Sequence, residues 1–338
     1  MDLKNFSPLA AAVAVGLASG FVMAHSTPAP ESQGILLVAN QVEHTTLLID
    51  PATRQELARI VVGVNGHEVA ASPDGRFAFV PIYGNSGVGR PGTDGTTIDV
   101  IDLRQRKLDS TLDLGKPLRP HRAVFGPDGM LYVTAELDKA VDVIDPASRK
   151  VVAQIPTGAI ESHMLAIAPD GSRGYTANVG AGSVSVLDLK KRSLITVIPI
   201  AKTVQRISIS PDGKWVFTHD QAEPRIAVID TATNKITRWI SVPVVVYSSS
   251  PTPDGRKLVA NAPSGKLFVI DLGSSKVEQS FDIPAAVGEV LLAPGGKTAF
   301  VSCPQAGTIE VLDLAAGKLL EPIKLTKGVD GLAWAPII

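Results

Sequence analysis

Three histidines of this 338-residue chain share one position in a repeated phrase. His67, His121 and His163 each stand six residues before a proline, Pro73, Pro127 and Pro169. Imidazole is the usual side-chain ligand of zinc, copper, iron and nickel, and three imidazoles with an open position make a catalytic arrangement. Chemistry-bearing side chains cluster around them in sequence. Glu68, Glu136, Glu161 and Asp220 are available as acids or bases, and Arg119, Arg122 and Arg206 as partners for an anion. His44, in the first connection between second and third strands, and His219, at the end of a second strand, fall on the same face as the three. Two readings of the trio compete. Either it grips a ligand or divalent metal, or histidine is favoured there because its ring can bond the backbone of the next repeat.

The elements that must position these residues follow from the repeat. Pro-Asp-Gly closes an apolar run at Pro73, Pro127, Pro169, Pro211 and Pro253, degenerates to Pro294-Gly295-Gly296, and ends in Pro336. The steps are 54, 42, 42, 42, 41 and 42 residues, a period that marks a propeller or solenoid. A second landmark is an apolar strand ending in Asp50, Asp102, Asp145, Asp188, Asp230, Asp271 and Asp313. Aspartate there can accept backbone N–H groups and fix a turn, and each Asp-Gly pair suits the type I′ turn of a hairpin. Short β-rich runs lie between landmarks with no amphipathic helical period. The expectation is an all-β, seven-bladed β-propeller of four-stranded blades. The chain begins at a second strand, Ile35–Asn40, and ends with an unpaired first strand, Gly331–Ala335. Their pairing is expected to close the ring and remove two exposed edges.

The runs Leu131-Tyr132-Val133-Thr134, Gly174-Tyr175-Thr176-Ala177-Asn178 and Leu258-Val259-Ala260-Asn261 resemble the Tyr-Val-Thr-Asn repeat of exported bacterial propellers. The resemblance covers the chain from about Gly34 onward. It implies the propeller fold but spans several functions: lactonase-like enzymes, haem d1-type domains and binding proteins.

In a propeller of this strand order the landmark turns occupy one face, so chemistry is expected on the other, the top face. The candidate ligand-binding residues there are His67, Glu68, Tyr83, Arg90, Arg119, His121, Arg122, Glu136, Glu161, His163, Arg206 and His219, with His67, His121 and His163 as candidate metal ligands. The 54-residue step is explained by an insertion, Tyr83–Thr96, which reads as a lid or as a neutral surface loop. Its glycines lack the Gly-Lys-Ser/Thr of a P-loop. No Gly-x-Ser-x-Gly, His-Glu-x-x-His or Cys-x-x-Cys-His pattern occurs.

Residues 1–24 read as a signal peptide, with an apolar run over Leu9–Met23 and a small-residue pattern at Ala24. Residues 25–33 read as a flexible arm, and 34–338 as one propeller domain. The expected location is periplasmic or secreted, without a membrane anchor after cleavage. A net charge of −1 argues against a nucleic-acid partner. The lone Cys303 is expected to be buried. The leading functional expectation is an exported monomer binding a small molecule, metal or protein on its top face. The alternatives are a metal-assisted hydrolase or lyase, lactonase-like, using His67, His121 and His163, and a purely structural module. Whether the chain is an enzyme is left open by these residues.

Overall fold

A computed structural model describes residues 34–285 and 287–337. The signal peptide and arm expected at residues 1–33 lie outside the described residues. Seven four-stranded antiparallel sheets form the blades of a β-propeller. The third blade is typical: Pro120–Phe125 is innermost, then Leu131–Ala135, Ala140–Asp145 and Lys150–Pro156. The two middle strands are almost completely buried, whereas the outermost is mostly exposed. Successive side chains of the middle strands point to opposite blade faces. Leu37, Ala39 and Leu48 of blade 1 therefore pack on Val80 and Ile101 of blade 2. Their neighbours Leu36, Val38 and Leu47 pack on Phe300 and Val311 of blade 7.

The ring closes as expected. Val329–Pro336 pairs with Gly34–Asn40, with Leu36 opposite Trp334 and Val38 opposite Leu332. All seven landmark aspartates accept a backbone N–H two or three residues on, as Asp50 does from Ala52 at 2.9 Å. The Pro-Asp-Gly turns differ from the expectation of type I′. In Ser72–Gly75 the Gly75 N–H bonds Ser72 O at 2.8 Å and glycine alone has positive φ, +64°. Proline cannot take positive φ, so the turn is type I with glycine at its left-handed exit.

One irregularity positions the site. The innermost strands of blades 1, 3, 4 and 5 carry a register shift at the histidine position or its equivalents: at Asp330-Gly331, His121-Arg122, His163 and Gln205-Arg206. A bulge inserts an unpaired residue and re-aims the side chains beside it. The three residues two places before the histidines, Asn65, Arg119 and Glu161, all have φ between +52° and +58°. These are sparsely populated conformations for non-glycine residues, held by the surrounding structure.

Candidate functional site

At the top of the channel the three histidines touch. His67 Nε2 lies 2.8 Å from His121 Nε2. The His121 ring stacks on His163, with centroids 3.5 Å apart and 26° between planes. Tyr83 wedges its edge against all three rings, at 5.3, 5.3 and 6.2 Å between centroids. Its hydroxyl donates to Glu136 Oε2 at 2.8 Å, and the other Glu136 oxygen accepts His163 Nδ1–H. His121, His163, Tyr83 and Glu136 are buried, whereas His67 is only partly covered. His67 is thus the least covered of the three rings, and His121 and His163 are withdrawn from solvent.

The backbone-bonding reading of the trio holds for the Nδ1 atoms of His67 and His121. His121 Nδ1 bonds the His163 carbonyl of the next blade at 3.0 Å, and His67 Nδ1 bonds the Asn65 carbonyl at 3.0 Å. Thr134 Oγ1 donates to the same His163 carbonyl at 2.9 Å and fixes it. The Nδ1 atoms thus serve the scaffold. The Nε2 atoms of His67 and His121 turn toward each other. Burial lowers the pKa of both rings; neighbouring His163 and His67 push His121 further down, while Glu68 and the Asn65 carbonyl partly offset the effect for His67. Burial thus favours the neutral form of both rings.

One residue further along the strands lies an ion cluster that crosses the channel. Glu68 of blade 2 meets Arg122 of blade 3 at 2.5 Å and Arg206 of blade 5 at 2.7 Å. Arg122 also pairs with Glu289 of blade 7 at 2.8 Å, and Arg206 with Asp330 of blade 1 at 3.3 Å. Burial opposes the Glu68 charge, but Arg206 and Arg122 outweigh it and hold its carboxyl below the usual range. Asp330 goes the other way: burial raises its pKa, Arg206 pulls it back, and the charges of Glu68 and Glu289 add to the rise.

The insertion belongs to the site. Its ends extend two strands, Phe77–Gly84 and Asp94–Asp102. Arg119 ties it down, bonding Asp94 at 2.8 Å and the Gly87 carbonyl at 3.1 Å. Arg119 also lies 5.7 Å over the Tyr83 ring and 3.9 Å from Glu136. Of the sequence-predicted residues, His67, Glu68, Tyr83, Arg119, His121, Arg122, Glu136, His163 and Arg206 are brought into these two linked clusters. Arg90 is exposed in the loop. Glu161 sits beside Gly180 and the loop's Gly89. His219 is buried on blade 5, bonding Ser249 at 2.8 Å, with its pKa lowered by burial to about 3. Asp220 pairs with Arg225. Cys303 is buried, and its thiol is pushed up to about 12.

Sequence reasoning passed over Asp94, Glu289 and Asp330 as site residues. Glu289 had a signal, since it holds the same repeat position as Glu68, Arg122 and Arg206. Among the described residues no set of three or more His, Cys, Asp or Glu side chains has the geometry of a metal cage. A cavity of about 710 Å³ lies on the other face, at the closure seam among Asp50, Arg76, Arg104 and Trp334. Its lining mixes strand residues with those of the landmark turns, and the convergent polar groups of the top face, rather than empty volume, mark the candidate site.

No family model matches the chain. A 77-residue segment, 23% of the chain, is 36% identical to the dihydro-heme d1 dehydrogenase of Pseudomonas aeruginosa, of which the match spans 15%. Among solved structures, a chain of Kuenenia stuttgartiensis hydrazine synthase superposes with a TM-score of 0.70 at 19% identity, covering 88% of this chain and 99% of that one. A functionally unknown protein from Desulfotomaculum acetoxidans superposes at 0.74 and 14% identity, covering 89% and 99%. At these identities the likeness is one of fold, and what the chain is shown to be is a seven-bladed β-propeller.

Proposed function

We propose that the chain is an exported binding module of the Tyr-Val-Thr-Asn repeat type, taking a small ligand at the top of its channel. The observation that carries this is the convergence of His67, His121, His163, Tyr83 and Glu136 within one contact network, behind a single partly exposed ring. Buried polar groups cost stability unless they are paired, and left-handed backbone at Asn65, Arg119 and Glu161, with bulges at His121-Arg122 and His163, holds this set in place. Such an investment at one end of an otherwise repetitive ring is characteristic of a binding site. The ion cluster beneath it spans the channel from blade 2 to blade 5, which favours entry of a ligand from the top face.

A second reading has its own support. Glu136 bonds His163 Nδ1, the arrangement in which a carboxylate orients an imidazole as a general base. That favours hydrolase or lyase chemistry on a ligand already bound there. The partial likeness to a protein named for dihydro-haem d1 places metallo-tetrapyrroles among the ligands worth testing.

Native mass spectrometry of tag-free protein from its own cell, with visible spectra, tests the binding reading. The expected result is a retained small species that is lost in His163→Ala and Tyr83→Ala. The reading fails if the protein carries nothing and no small-molecule or metal panel shifts its melting temperature. The mature mass is expected to begin after Ala24.

A further inference from the structure

We infer that His67 and His121 form a two-imidazole site for a first-row transition-metal cation, each ligating through Nε2. This rests on the binding reading and names its ligand class. The argument starts from hydrogens. A backbone carbonyl only accepts, so the Asn65 and His163 carbonyls require Nδ1–H on both rings. A neutral imidazole has one N–H, so both Nε2 atoms carry lone pairs. Yet those atoms are 2.8 Å apart, closer than two lone pairs tolerate without an electrophile. A shared cation completes the contact: a metal ion does so with both rings neutral, whereas a bridging proton would make one of the buried rings an imidazolium. Metal-bound histidines characteristically donate their other N–H to a carbonyl or carboxylate, which sets the tautomer.

The distance agrees with a metal. Two nitrogens each about 2.05 Å from an ion lie about 2.9 Å apart at a 90° angle and about 3.3 Å apart at the tetrahedral angle. The observed 2.8 Å matches adjacent corners of a square or octahedron, the geometries of copper(II) and nickel(II). Zinc would require the rings to open by about half an ångström. Charge agrees as well. Around the rings and the ion cluster, the carboxyls of Glu68, Glu136, Glu289 and Asp94 outnumber the guanidinium groups of Arg119, Arg122 and Arg206, before Asp330 and the Glu136–His163 bond are counted. A cation at His67 and His121 offsets that excess. Two protein ligands leave the remaining positions to water or to a second small ligand, and the partly exposed His67 is the side from which they exchange.

Tag-free full chain, stripped with chelator, is titrated with copper(II), nickel(II) or zinc alone by calorimetry. One equivalent is expected to bind, in the order copper, nickel, zinc. His67→Ala and His121→Ala are each expected to weaken binding by about 100-fold, and His219→Ala to leave it unchanged. The wild-type copper complex supplies a reading independent of any variant's folding: its electron paramagnetic resonance spectrum should show coupling to two imidazole nitrogens. The inference is overturned if copper binds without imidazole coupling, or if both substitutions leave the affinity unchanged. It is also overturned if a low-field N–H proton shared by the two rings persists in excess metal, because a proton then bridges them. An organic species bound by the wild type and lost in His163→Ala, with no metal bound, sinks this inference and leaves the binding reading standing.

Discussion

Asp330 and Tyr83 show how much the site depends on single atoms. Asp330 is buried, bonded by Gln41 at 3.3 Å and Arg206 at 3.3 Å, and repelled by Glu68 and Glu289. Its carboxyl holds a proton in the folded state at pH values where the unfolded chain has lost it. The folded state then binds more protons, so this group's contribution to stability falls as pH rises above about 4, the unfolded value. Asp330→Asn mimics the protonated form. The variant is expected to match wild type near pH 4 and to melt higher at pH 8 to 9, by roughly 1–2 kcal/mol for one relieved buried charge. A melting series across pH checks it, and a parallel offset at all pH values would contradict it. Tyr83→Phe deletes the hydroxyl that donates to Glu136 at 2.8 Å while keeping the ring against the histidines. The expected cost is about 1–3 kcal/mol, since a buried carboxylate loses a donor. Chemical denaturation measures it, and an unchanged midpoint would show that Arg119 already satisfies Glu136.

Two elements can be removed with opposite expected results. Truncation before Asp330 takes away the strand that pairs with Gly34–Asn40 and buries Leu332 and Ala335. It exposes the inner edge of Gly34–Asn40 and also removes Asp330 and the Leu332 N–H that bonds Glu289 at 2.8 Å. Loss of soluble yield is expected; a truncated chain melting like the full one would refute closure. The loop is different. Its anchors, Tyr83 and Asp94, are part of the site, so the whole stretch Tyr83–Thr96 is not a detachable lid. Its tip is. Replacing residues 88–92 with Asn-Gly, which keeps Ser86 and the Gly87 carbonyl, should change stability by less than about 1 kcal/mol, because closure entropy varies slowly with loop length. Thermal melting together with the copper titration distinguishes a passive tip from one that covers His67.

At the scale of the molecule the ring is held by seams between blades, and each seam joins residues far apart in sequence. The ion cluster adds a second fastening across the channel, from Glu68 to Arg206 and from Arg122 to Glu289. Replacing one partner leaves an unpaired buried charge, which is costlier than replacing both. Glu68→Gln is therefore expected to destabilise by about 3–5 kcal/mol and to loosen amide protection in blades 2, 3 and 5 together. Hydrogen exchange confined to blade 2 would show that the cluster does not couple the blades.

The repeat period, the aspartate turns and the ring closure were legible in the sequence because each is local. A proline step of 42 residues, an Asp-Gly pair or a lone terminal strand is written in neighbouring residues and repeats often enough to be unmistakable. The register of His67, His121 and His163 was legible for the same reason. Their chemistry was not. Whether Nδ1 or Nε2 faces a neighbour depends on bulges and positive-φ residues at Asn65, Arg119 and Glu161. Those arise from how one blade's innermost strand meets the next, not from its own sequence. Glu289 and Asp330 enter the site only because the ring brings blades 7 and 1 back beside blades 2 and 3. Local sequence determined the blade; closure of the ring decided which side chains share a site.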